Sequence, residues 1–128
     1  MINFTEQEKA VIMLGTASVT VADDFGSEPN ETELIFCKSV EQAIKPTQVA
    51  YQLFHNYFRN PVGAYCQIRN ISIEKKRMIK TFFFYLCICD GPINKGEQEA
   101  LDLLDELCDF PYMSMDEMKT EYKMFFGL

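Results

Sequence analysis

The sequence predicts an all-α protein, a compact helical bundle of at least five helices arranged as two repeated helix hairpins. Three observations point there. Apolar residues fall at helical spacing or fill whole runs, and no alternating pattern bounded by hairpin turns occurs. Helix-start signatures recur at Thr5-Glu6-Gln7-Glu8 and Ser114-Met115-Asp116-Glu117, where a hydroxyl stands three residues before a carboxylate. Two long apolar segments each run into an acidic corner and restart on glutamates.

Thr5 opens the first helix, predicted from Glu6 to about Ala22 with an interior apolar nearly all round. Its β-branched end, Val19-Thr20-Val21, favours helix only weakly. The acidic corner Asp23-Asp24-Phe25-Gly26-Ser27-Glu28-Pro29 follows. Asn30 caps a second helix, with Glu33 three residues on and Leu34, Phe36, Val40 and Ile44 as its inner stripe, ending before Pro46. Thr47 caps a third, in which Val49, Ala50, Leu53, Phe54, Tyr57 and Phe58 are spaced helically. Asn60-Pro61-Val62-Gly63 breaks it, and residues 64–68 form a further turn or two.

Ser72 begins the central helix, which ends in the unbroken apolar run 82–89. Aromatic content alone also suits a buried strand. Continuation back through Met78 and Ile79 makes the segment too long for a typical strand, and Gly91-Pro92 is a helix stop. A helix apolar on all sides is wrapped by others, and this run is too short to cross a bilayer. After the corner, a helix from about Lys95 to Cys108 carries Leu101, Leu104 and Cys108 on one side, with Leu103 and Leu107 beside them. Asp109-Phe110-Pro111 ends it, and a last short helix carries Met118, Tyr122, Phe125 and Phe126.

A chain of 128 residues is read as one domain. Its 48% hydrophobic content excludes a disordered chain. No basic n-region with an apolar h-region opens the sequence, so a soluble cytoplasmic protein is expected. Cys37, Cys66, Cys87, Cys89 and Cys108 are an odd set lying mostly in apolar runs, which fits reduced, packed thiols. Cys87-x-Cys89 has the look of half a metal site, but no second pair accompanies it and His55 is remote.

The net charge of −7 is uneven: residues 1–33 hold seven acids against one lysine, residues 34–80 eight bases against two acids, and residues 81–128 ten acids against three lysines. So acidic a chain is no natural partner for nucleic acid. A protein partner with a basic surface suits it better. The cluster Lys75, Lys76, Arg77 and Lys80 reads as a solvated helix face rather than a phosphate site. His55 has no evident nucleophile near it in the pattern, and no phosphate loop or zinc signature occurs, so no enzyme activity is expected. Met113, Met115 and Met118 with Phe125 and Phe126 fit either C-terminal packing or an adaptable partner surface.

The halves, about 5–44 and 72–110, echo each other at an offset of 66 residues: Glu8-Lys9 falls on Glu74-Lys75, Asp24 on Asp90, Glu31 on Glu97, and Glu33 on Glu99. The second corner, Cys89-Asp90-Gly91-Pro92-Ile93-Asn94-Lys95-Gly96-Glu97, resembles the small-residue–Asp-Gly–loop–Glu corner of the TerB-like family, small all-helical domains of the tellurite-resistance type. The first corner, Ala22-Asp23-Asp24 through Glu31, supports the likeness, with Asp24-Phe25 where the pattern has Asp-Gly. The resemblance spans nearly the whole chain in element order. It implies an all-helical fold, a role in tellurite or other stress responses, and divalent metal held by acidic residues.

Physical chemistry makes the corner a candidate for such an ion. Asp90 near a helix C-terminus opposes the macrodipole, and the last carbonyls there lack intrahelical partners. A hard cation, calcium or magnesium, resolves both, with Asp90 and Glu97 as anionic ligands and Asn94 beside them. The repeat adds Asp24 and Glu31 as a second pair. The corner is no EF-hand, because Lys95 and Leu101 stand where that loop needs glycine and glutamate. The alternatives are a simple Gly-Pro stop before a solvated acidic helix start, or an acidic face that recognises a protein with no metal.

Overall fold

A computed structural model of the chain describes residues 2–22 (the last three as backbone), 31–89 and 91–128. The described residues form seven α-helices and no strand: α1 Glu6–Ala22, α2 Glu31–Ile44, α3 Gln48–Tyr57, α4 Pro61–Cys66, α5 Ile73–Ile88, α6 Lys95–Cys108 and α7 Met115–Phe126, with a 3₁₀ turn at Gln67–Asn70 after α4. The all-α bundle of at least five helices is therefore correct. The corner at residues 23–29 and the Asn30 cap lie outside the described residues.

Helices α1 and α5 pack against each other at the centre. Helix α3 lies on α1 and α7 on α5, while α6 touches both central helices and α2 reaches across to α5. Val11, Ile12 and Leu14 of α1 and Ile79, Phe82, Phe83 and Leu86 of α5 are closed to solvent. Burial of this kind, worth about 1.5–3 kcal/mol per large apolar side chain, carries α1 through its weak helix formers to Ala22; Val19 itself is fully buried. The two central helices also meet at Gly15, where a Cβ would fall on the ring of Phe83.

Local signals set the helix starts. The Thr5 hydroxyl accepts from the Glu8 amide at 3.1 Å and Glu8 Oε1 accepts from the Thr5 amide at 2.8 Å. Ser72 accepts from the Lys75 amide at 3.3 Å, and Ser114 and Glu117 form a reciprocal box. Thr47 departs from expectation. Its hydroxyl makes no capping bond and donates instead to Glu6, which also accepts from the Thr47 amide at 2.7 Å. A carboxylate is a stronger acceptor partner than a helix amide is a donor, so α1 ties down the α2–α3 junction. Asn60-Pro61 ends α3 and also starts α4: Asn60 accepts from the Gly63 amide and Pro61 takes the first helical position, where its missing N–H costs nothing. Helix α4 thus begins three residues before the expected turn.

Some residues assigned to inner stripes face out. Leu34, Val49, Phe58 and Leu103 are exposed, while Phe36, Val40, Ile44, Ala50, Leu104 and Cys108 are buried. The buried set of α2 starts at Glu33 and repeats at Phe36, Val40 and Ile44, which leaves Leu34 off the stripe.

The basic cluster of α5 is not a solvated face. Lys75 pairs with Glu8 at 2.8 Å, Arg77 with Glu117 at 3.2 Å and Glu121 at 3.1 Å, and Lys80 with Asp105 at 3.5 Å. Lys76 is buried and donates to the Asp109 carbonyl at 3.2 Å. With Arg69, which donates to the Glu106 and Leu107 carbonyls at 3.0 and 3.3 Å, it satisfies the C-terminus of α6 and complements its dipole. That helix closes on Asp109 in the left-handed conformation (φ 54°).

Candidate functional site

The candidate site is the corner between α5 and α6. Helix α5 stops at Ile88, and the Gly91 amide donates back to the Ile88 carbonyl at 3.3 Å. Gly91 has φ 144°, a conformation that side chains disfavour, which explains glycine here. Ile93 then packs on the core, and Asn94 opens α6 in an extended conformation.

Asn94 and Glu97, two of the residues picked out in the sequence, come together. Asn94 Oδ1 accepts from the Glu97 amide at 2.8 Å and Glu97 Oε1 accepts from the Asn94 amide at 3.0 Å, a complete capping box. Glu97 is only 2% exposed and its Oε2 is shielded from solvent. The positive end of α6 favours a carboxylate at this third helical position. Each box acceptor keeps a second lone pair, so capping and coordination of a cation are compatible. Asp90 and Asp24 lie outside the described residues.

Glu31 sits at the first position of α2 and is exposed. The residue at the third position of α2, matching Glu97 in α6, is Glu33, likewise 2% exposed. The offset of 66 misses this because helix starts set a different register: 67 between α1 and α5, 64 between α2 and α6. The eight-residue stretch 23–30 and the six-residue stretch 89–94, with one more residue in α1 than in α5, account for the change. Burial of an acid at the third helical position is the signal, and Asn30-x-x-Glu33 carries it in the sequence as Asn94-x-x-Glu97 does.

Among the described residues, no group of three or more His, Cys, Asp or Glu side chains is arranged to hold a metal ion. No disulfide joins any of the five cysteines. Cys87 and Cys108 are buried, and burial pushes the Cys108 thiol up to about 12. Cys89 is half-buried, its thiol directed at the Leu86 carbonyl. His55 is exposed on α3, edge-on to Phe54. No described helix is long and apolar enough to cross a membrane.

Comparison with known proteins adds the fold. No family model matches the chain, and no curated protein matches it. The crystal structure of a protein of unknown function from Porphyromonas gingivalis W83 is similar over 100% of both chains, with a TM-score of 0.73 and 19% sequence identity. The two chains share a fold.

Proposed function

We propose that the chain is a non-enzymatic, TerB-like helical module of the cytoplasm that holds a divalent cation, calcium or magnesium, at the corner between α5 and α6 and acts in a stress response. The observation that carries this reading is the burial of Glu97 at an acidic corner, repeated by Glu33 in the other half. A carboxylate removed from water is costly unless hydrogen bonds and positive charge surround it. The capping box and the positive end of α6 provide such surroundings at Glu97, and a cation shared with Asp90 would add to them. Asn94, at the same point of the chain, adds an oxygen of the hard type such ions prefer.

The test is thermal unfolding with and without calcium or magnesium. Binding to the folded state alone raises the Tm by mass action. Glu97→Gln keeps the capping box, since glutamine serves at that position, yet removes the charge. It should lose most of the cation-induced shift while leaving metal-free stability little changed. Asp90→Asn should also lose the shift and be neutral or stabilising without metal, because it removes a charge opposed to the α5 dipole. Asp24→Asn should do less. A wild-type Tm indifferent to both cations, or a Glu97→Gln protein that responds as the wild type does, would defeat the proposal.

A further inference from the structure

The surface carries a groove that the cation reading does not use. It runs between α5, α6 and the segment 109–114 that leads into α7, and encloses about 210 Å³. Phe84, Leu101, Phe110 and Met113 give it an apolar floor, and Tyr112 stands at its mouth, 85% exposed. A ring so little covered, beside an adaptable methionine, is the kind of group that interfaces use as an anchor.

Charge selects the occupant. One wall is α6, which carries Glu99, Asp102, Asp105 and Glu106 against Lys95. Asp102 and Glu106 are exposed, and Asp105 lines the groove itself. The cation inside, Lys80, is already engaged by Asp105 at 3.5 Å and by the Pro111 carbonyl at 2.9 Å. Burial raises the pKa of Asp105, and its contact with Lys80 opposes the rise. The exposed carboxylates of Asp102 and Glu106, rather than the paired Asp105, draw in a positive group, whereas a second copy of this chain, at a net charge of −7, is repelled. The apolar groove between α1, α2 and α3 offers no such choice, since its carboxylate, Glu41, is held by Tyr51.

We propose that the groove between α5, α6 and the 109–114 segment docks a short basic segment of a partner protein, which places an aliphatic or aromatic side chain against Tyr112 and its lysines or arginines along the acidic face of α6. The surface is separate from the cation corner, so its test is run with a chelator present.

Fluorescence anisotropy with a labelled synthetic peptide, a Leu-Phe centre flanked by lysines and arginines, measures binding to the full chain. Two controls accompany it: one with the basic residues changed to glutamate, one with Leu-Phe changed to serines. The basic apolar peptide should bind saturably and weaken as ionic strength rises. Tyr112→Ser and Asp102→Lys, both at exposed positions that leave the core intact, should each weaken it about tenfold or more, the loss of one hot-spot contact. Absence of saturable binding would overturn the proposal. So would equal affinity for both variants, equal binding of either control peptide, or self-association of the wild type that Tyr112→Ser abolishes.

Discussion

Replacing Gly15 by alanine puts a methyl group where Phe83 already sits. The Phe83 ring of α5 lies directly over Gly15 of α1, and a Cβ on Gly15 would overlap the Cζ and Cε1 atoms of the ring. Phe83 is 1% exposed, and its ring packs against Phe110 at 6.0 Å between centroids, so it has little room to swing away. Overpacking of a tight core costs about 1–3 kcal/mol, and an overlap this deep belongs at the upper end. Alanine regains about 1 kcal/mol over glycine in a helix interior. The net expectation is a loss of about 2 kcal/mol in urea unfolding, with the slope unchanged. The sign reverses in a second background. Phe83→Leu removes the ring that the methyl meets, so adding Gly15→Ala to Phe83→Leu should be neutral or stabilising. A Gly15→Ala protein as stable as the wild type, or the same loss in the Phe83→Leu background, would refute the packing argument.

Other outcomes follow from the same contacts. Lys9 and Thr47 hold the Glu6 carboxyl at about 2, well below its ordinary 4.5. The sign is that of a depressed acid: its stabilising contribution is complete above about 4.5 and fades as pH falls toward 2. Glu6→Gln should therefore be less stable than wild type at neutral pH, and the gap should close by about pH 2 in acid-unfolding curves. Lys76→Met should lose about 1 kcal/mol in urea unfolding, the value of one charged hydrogen bond to the end of α6 net of desolvation, because its apolar body keeps the volume. Cys87 and Cys108 should react with a thiol reagent only as fast as the protein unfolds, with the half-buried Cys37, Cys66 and Cys89 labelled earlier.

The fold was legible where the signals are local. Thr5-x-x-Glu8, Ser72, Asn94-x-x-Glu97 and Ser114-x-x-Glu117 each satisfy amides within one turn, so α1, α5, α6 and α7 begin where the sequence predicts. What escaped is long-range. The cations of α5 look like a solvated face because their partners, Glu8, Asp105, Asp109, Glu117 and Glu121, lie far along the chain. Thr47 spends its hydroxyl on Glu6 for the same reason. Proline at Pro61 was ambiguous, since a stop for α3 and a start for α4 use the same residues. At the candidate site, Asn94 and Glu97 were picked out as oxygen ligands, Glu97 as the partner of Asp90, and the capping box that joins them was not. Glu33 was hidden behind Glu31, because identity at a fixed offset cannot register two corners of unequal length.

The cation corner is tested most directly by diffraction from crystals grown with manganese, which takes oxygen ligands as magnesium does and scatters anomalously. The account predicts a peak at about 2.0–2.3 Å from a carboxylate oxygen of Glu97, shared with Asp90 and absent from Glu97→Gln crystals grown the same way. A map with no peak at that corner, or one that persists in Glu97→Gln, would contradict it.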